Sequence, residues 1–188
     1  MKPYTIDFDL LTGICKSGKV QPVQRRVSQM KMQFADPEAA QKAIDSGDPV
    51  LYEFSTLLND EKKGTLAFGS TIIYPGKIGD EYYMTKGHFH TILDSAEVYY
   101  CLSGKGFMMM ETPEGDVDLQ EVHPGEALYV PGRWAHRSIN HGTEPFVMLF
   151  VYPGDSGHDY GTIETKGYRK LVVERDGKPV MIDNPRWK

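Results

Sequence analysis

Residues His88, His90, Glu97 and His136 are donor types that together suit a metal ion: His-Phe-His, six intervening residues, Glu, thirty-eight more, then His. Three neutral imidazoles and one carboxylate match a divalent transition ion, and on a six-coordinate ion they leave about two positions open. Open positions belong to a catalytic or ligand-capturing centre, whereas a structural zinc is closed at four ligands and usually includes cysteine. Two histidines one residue apart project from the same side of a strand, their α-carbons about 6.5–7 Å apart, while a helix would send them to different sides. The local sequence predicts that strand, since Glu81-Tyr-Tyr-Met-Thr-Lys-Gly leads into the pair. After a short loop from Thr91 to Ala96, Glu97-Val-Tyr-Tyr-Cys-Leu predicts the next strand, with Glu97 at its start and able to swing back beside the histidines.

The elements that must hold this set read as short strands broken by turns. They are predicted at Val50–Leu58, Leu66–Tyr74, Tyr82–His90, Glu97–Leu102, Phe107–Glu111, Val117–Val122, Ala127–Val130, Ala135–Asn140 and Phe146–Tyr152. No long helix separates them, and Gly104-Lys-Gly106, Pro113-Glu-Gly115 and Pro131-Gly132 are turn signals, so the expected class is all-β: an antiparallel sandwich or barrel, best an eight-stranded jelly roll. One short peripheral helix is predicted at Asp36–Ser46, capped by Asp36, started by Pro37 and stopped by Gly47. Ahead of the core, Met30, Met32 and Phe34 alternate with Lys31 and Gln33, which predicts an exposed edge strand from Arg26 to Phe34. Behind it, Tyr168–Asp176, the turn Asp176-Gly177 and Pro179–Ile182 predict a hairpin. The organisation is one domain over 1–188, with an arm and helix at 1–49, a core at 50–155 and a loop plus hairpin at 156–188. Edge strands invite pairing with a second copy, so a homodimer is expected.

A net charge of −5 without a clustered Lys/Arg stripe excludes nucleic acid and membrane surfaces as partners. No apolar run reaches the length of a signal peptide or a membrane span, so a soluble, cytoplasmic protein is expected. Cys15 and Cys101 lack redox or metal spacing and read as reduced packing residues. Met108-Met-Met110 reads as core, Trp134 and Trp187 as structural, His123 and His141 as surface residues, and Glu81, Asp94 and Glu111 as solvent-facing charges.

His88-Phe-His90, Glu97 and Gly104, then Gly125, Pro131, His136 and Asn140, resemble the two motifs of the cupin superfamily. Three positions depart from them: six residues separate His90 from Glu97, Tyr82 stands where the first motif has glycine, and Gly132 follows Pro131 directly. The four ligands survive these departures. Thr-Lys-Gly-His-Phe-His at 85–90, Glu-Val-Tyr-Tyr-Cys-Leu-Ser-Gly-Lys-Gly at 97–106 and Pro-Gly-Arg-Trp-Ala-His at 131–136 are more specific. They resemble the cupin-type phosphoglucose isomerases of archaea over nearly the whole chain.

That resemblance implies interconversion of glucose 6-phosphate and fructose 6-phosphate with one divalent ion per chain. Iron(II) is the first expectation, with manganese, nickel or zinc as alternatives. It further implies phosphate contacts at Thr71, Thr85 and Gly87, and a role in ring opening or proton relay for His158. Lys86 alternates with Thr85 and Gly87 and is expected on the other face. Tyr52, Tyr99, Tyr152 and Tyr160 offer flat rings and hydroxyls for a sugar cavity. Moving hydrogen between C1 and C2 needs either a base, for which Glu97 is the candidate through an enediolate, or a hydride shift that leaves Glu97 a ligand only. An iron-dependent dioxygenase and a non-enzymatic sugar-binding cupin are the competing readings of the same donors.

Overall fold

In the computed structural model, which describes residues 2–16, 20–58 and 60–187, alternation and turn chemistry produce a β protein. Its strands run in chain order as β1 (Val23–Arg26), β2 (Val50–Leu58), β3 (Leu66–Ile73), β4 (Lys77–Ile78), β5 (Glu81–Tyr82) and β6 (Glu97–Ser103). They continue as β7 (Gly106–Glu111), β8 (Val117–Val122), β9 (Ala127–Val130), β10 (Ala135–Ile139), β11 (Phe146–Pro153), β12 (Lys170–Arg175) and β13 (Lys178–Asp183). Short helices interrupt them: α1 (Val27–Met30), α2 (Pro37–Asp45) and α3 (Gly161–Lys166).

The large sheet has the order β1-β2-β3-β11-β6-β9, a second sheet is β10-β7-β8, and a third is β13-β12-β5-β4. The pairings are antiparallel, as expected for the jelly roll. On β6, Glu97, Tyr99 and Cys101 are buried while Val98 and Tyr100 are exposed, so the period of two gives this sheet a wet and a dry side. The dry side of β2, β3, β11 and β6 faces β10 and β7, with Met108 and Met110 on the inner face of β7 and Met109, in register with Arg137, buried on its other face. Burying such a side chain stabilises the fold by roughly 1.5–3 kcal/mol. Gly69 lets the layer close, because a Cβ there would collide with the Ser55 carbonyl and the Phe150 ring that crosses it.

The flanks are tied to this frame. Asp36 Oδ1 accepts from the amides of Glu38 (3.0 Å) and Ala39 (2.8 Å) and starts α2, a cap of about 1 kcal/mol. The arm at residues 7–16 folds on itself and docks on the wet side of the large sheet, where Ser70 Oγ donates to Gly13 O (2.6 Å) and Ser103 Oγ to Leu11 O (2.7 Å). Cys15 and Cys101 are both buried, in accord with the packing role expected of them.

Several expectations need correction. Arg26 to Phe34 is not a strand: β1 ends at Arg26, and α1 with one 3-10 turn at Lys31–Gln33 follows. Met30 and Phe34 are buried and Met32 is 65% exposed, so the real spacing is i, i+4. Gln29 Oε1 accepts from Arg26 N and Asp48 takes the Ser28 amide and hydroxyl, local bonds that favour the turn over the ladder. Tyr82–His90 is a regular strand only at its first residue. Helix α3 was not anticipated within the C-terminal loop; Ile163 buries under it and Thr165 Oγ1 closes onto Gly161 O.

Glu81 and Glu111 do not face solvent. Glu81 is 4% exposed and accepts from Ala35 N (2.9 Å); Glu111 is 1% exposed, accepts from Arg169 N (2.8 Å) and pairs with its guanidinium. Each anchors a flank to a sheet. His141 is not a surface side chain either, for its ring stacks on Phe107 at 4.3 Å and meets Glu121 at 3.2 Å.

Burial raises the Glu81 carboxyl to about 7, against the Ala35 amide and Arg137, which pull it down. The unfolded chain releases this proton near 4.5, so the folded state binds more protons between about pH 4.5 and 7 and loses stability as pH rises through that window. Glu81→Gln should remove this slope and raise stability at pH 8 by roughly 1–3 kcal/mol. Urea unfolding at pH 5 and pH 8 checks it, and an unchanged pH slope would count against the assignment.

Candidate metal centre and its cavity

Three elements bring the four donors together. Glu97 opens β6 on its dry side, and His136 lies on β10 in register with Met110 of β7. His88 and His90 come from the segment after β5, which follows the edge of β10 by isolated contacts. Thr85 N donates to Ser138 O (2.9 Å), and His136 N to His88 O (3.2 Å). From one contact to the next, β10 advances two residues and the other segment three, so Lys86-Gly87 forms a bulge opposite Arg137. Gly87 has φ +76°, and a Cβ there would strike the Tyr168 hydroxyl and the His136 carbonyl. The bulge brings His88 level with His136.

Donor atoms of His88, His90, Glu97 and His136 lie within 4.8 Å of one another. Glu97 Oε2 is 2.9 Å from His136 Nε2 and 3.2 Å from His90 Nε2. His90 Nδ1 bonds to Ser95 O (2.9 Å) and His136 Nδ1 to Trp134 O (3.2 Å). Both carbonyls accept, so the proton of each ring sits on Nδ1 and the Nε2 lone pair faces the centre. The Nε2 atoms of His88 and His136 are buried without a hydrogen-bond partner among the described residues. Burial holds the His88 imidazole well below its ordinary pKa, reinforced by His136 and His158. Burial also opposes charge on Glu97, but with no ion between them a second proton on His136 or His90 Nε2 outweighs it and keeps the carboxyl below its usual range. A ring of lone pairs around one ionised carboxylate fits a divalent cation.

Above the centre opens a cavity that reaches solvent. Thr71, Thr85, Gly87, Tyr52, Tyr99, Tyr152, Tyr160 and His158 all line it, together with His88, Glu97 and His136. Thr85 Oγ1 accepts from Ser138 N (3.0 Å), which leaves its own proton free to donate. His158 lies at the rim, 4.4 Å from the His88 ring, stacked on Tyr160 and edge-on to Tyr152. Its desolvated side lowers its pKa, so the ring is neutral at pH 7. Burial raises the hydroxyls of Tyr52, Tyr99, Tyr152 and Tyr160, so these remain protonated donors.

Lys86 is misplaced by strand alternation. It lines the same cavity as Thr85 and Gly87, pairs with Glu164 on α3 and sits 4.9 Å over the Tyr160 ring. The bulge breaks the alternation that would have turned it away. Sequence reasoning also passed over Phe54, Thr56, Ser138 and Phe150 in the cavity wall. Each is two or four residues along a strand from a side chain that was recognised, so the period of two from Tyr52, His136 and Tyr152 was the available signal.

A family model described as glucose-6-phosphate isomerase matches residues 24–188 of this chain. The chain belongs to that family. A glucose-6-phosphate isomerase from Thermococcus litoralis is 50% identical over 187 residues, spanning 100% of this chain and 97% of that protein. The Pyrococcus furiosus enzyme of that name is 48% identical over 100% of this chain and 98% of its own length. One from Sinorhizobium medicae is 40% identical, over 100% and 88%. Among solved structures, a variant of Bacillus subtilis oxalate decarboxylase aligns with a TM-score of 0.46 and 25% identity, over 57% of this chain and 26% of that one. Among the described residues, no helix is long and apolar enough to cross a membrane.

His136→Ala removes a donor from the centre, whereas His158→Ala alters only the rim. Equilibrium dialysis against a divalent ion should show ion retention lowered at least tenfold in the first and unchanged in the second, as expected for loss of one of four ligands. Equal ion loss in both would contradict this division.

Proposed function

We propose that this chain interconverts glucose 6-phosphate and fructose 6-phosphate, with His88, His90, Glu97 and His136 holding one divalent ion. The observation that carries the reading is the convergence of these four donors at the floor of a hydroxyl-lined cavity. Membership of the isomerase family along nearly the whole chain supports it. We take iron(II) as the native ion on grounds of cellular availability, with manganese, nickel and zinc as competing occupants. When bound, the ion would polarise the substrate carbonyl and make the neighbouring hydroxyl more acidic.

The chain's own residues then do the rest. Glu97 takes the proton from one carbon and returns it to its neighbour. Against the bound ion Glu97 would stay ionised and be a weak base, so the carboxylate works by proximity within a buried floor more than by basicity. Neutral His158, at the rim, takes and returns the proton of the ring hydroxyl as the sugar opens. Thr71 and Thr85 donate hydroxyls and Gly87 its amide to the phosphate, while Lys86 offers the charge. The tyrosines place flat rings along the sugar and keep water from the reacting carbons.

A phosphorylated hexose is charged and confined by membranes, so we place the enzyme in the cytoplasm, serving glycolysis and gluconeogenesis. We also infer a homodimer. Strand β1 leaves one edge of the large sheet open, and Val98, Tyr100, Tyr129 and Val151 expose an apolar face on its wet side. Sedimentation at micromolar concentration should give the mass of two chains; a monomer would remove this inference.

The central test strips the protein with chelator, restores candidate ions singly, and follows fructose 6-phosphate. Isomerisation should return with the native ion, and in deuterated water deuterium should enter the product at the exchanged carbon. Complete retention of substrate hydrogen would speak for a hydride shift and leave Glu97 a ligand. Binding of fructose 6-phosphate without conversion over hours, for every ion tried, would overturn the enzymatic reading.

A further inference from the structure

Arg137 is the largest fully buried side chain, 1% exposed, on the face of β10 opposite to His136 and Ser138. No carboxylate lies within ion-pair distance of it among the described residues. Its guanidinium instead donates through Nη2 to Lys86 O (2.7 Å) and Gln33 Oε1 (3.3 Å), reaches Met84 Sδ at 3.0 Å, and lies over the Tyr168 ring at 4.3 Å. Burying a charge with such partners is costly, so what it holds in place is informative. Its shortest bond goes to the bulge beside His88.

A trans peptide directs its C=O and N–H oppositely, and the chain has no cis peptide bonds among the described residues. With Lys86 O drawn back to Arg137, the amide of Gly87 in the same peptide unit points the other way, toward the cavity that Gly87 lines. No backbone acceptor is recorded for that N–H among the described residues. The peptide is further locked by the left-handed φ of Gly87 and by the atoms that exclude a Cβ.

We propose that Arg137 is a positioning residue that fixes the Gly87 amide as a preorganised donor to the phosphate of the substrate. This rests on the phosphate-ester reading above. Arg137 touches no reacting atom. It acts from behind the wall, by holding a carbonyl out of the cavity where it would repel an anion and by presenting an N–H in its place.

Wild type, Arg137→Lys and Arg137→Met are compared after loading with the same ion. In Arg137→Met, the KM for fructose 6-phosphate and the inhibition constant for inorganic phosphate should rise together by about tenfold, the loss expected for one charge-assisted bond. Ion affinity and kcat should stay within about threefold, the signature of lost ground-state binding. Arg137→Lys, which can still donate to Lys86 O, should recover part of the loss. In zinc-loaded wild type, the 15N–1H resonance of Gly87 should move as inorganic phosphate is added. That measurement decides the matter should Arg137→Met fail to fold. A Gly87 resonance indifferent to phosphate overturns the proposal, as does a KM and phosphate inhibition equal to wild type in both variants. Loss of the ion with unchanged KM also overturns it and assigns Arg137 to holding His88. A wild type that binds phosphate at Gly87 but converts no sugar phosphate sustains this inference while the isomerase reading fails.

Discussion

A carboxylate that is 2% exposed cannot stay ionised inside a β-sandwich unless positive charge or hydrogen-bond donors surround it, and Glu97 is in that position. Its neighbours are three imidazoles, of which His88 is held neutral by burial and two are oriented by backbone carbonyls so that lone pairs face inward. Lone pairs and a carboxylate repel when nothing lies between them. A divalent cation turns the same arrangement from repulsive to strongly attractive, so ion binding and the stability of this part of the fold are linked. The cavity is built on that linkage. Its floor is set by backbone: Glu97 and His136 sit on strands, His88 is bonded to β10, and His90 is held by Ser95 O in the turn before β6.

Register does the positioning. Antiparallel alternation alone places Glu97 and Tyr99 on one side of β6, His136 and Ser138 on one side of β10, and Tyr52, Phe54 and Thr56 on one side of β2. It cannot place His88, because a continuous strand from Tyr82 to His90 would be out of step with β10. One extra residue at Lys86-Gly87 corrects the step, and three features hold it there: a glycine with positive φ, the Tyr168 and His136 atoms that crowd it, and the buried guanidinium of Arg137. That irregularity also brings Lys86 to the cavity side.

Periodicity of two and donor chemistry are local properties, so the all-β class, the helix after Asp36, the C-terminal hairpin and the grouping of His88, His90, Glu97 and His136 could be read from the chain. The bulge could not, because it is defined by the step of a partner strand some fifty residues away in sequence, and Lys86 was misassigned with it. Met30, Met32 and Phe34 fit a strand by alternation and a helix by the i, i+4 pair, and capture of Ser28 by Asp48, twenty residues on, adds to the Gln29–Arg26 bond in favouring the helix. Glu81 and Glu111 read as surface charges for the same reason. What makes each tolerable in the interior, the Ala35 amide for one and Arg169 for the other, lies forty-six and fifty-eight residues away.

Floor and rim of the cavity differ in what holds them. The floor is built from the large sheet and β10, while the rim comes from Lys86, His158, Tyr160 and the short helix α3, joined by an ion pair and stacked rings that are open to solvent. Surface ion pairs are weak, about 0–1 kcal/mol, and Glu164 competes for Lys86 with any anion that enters. In the proposed reading, a phosphate would carry more charge than one carboxylate and meet hydroxyl and amide donors at the same place, so it would displace Glu164 at small cost. The pair with Glu164 and the contact with Tyr160 hold Lys86 over the mouth, near where the proposed phosphate would arrive, while the four donors below are held by strand register and by bonds to backbone carbonyls.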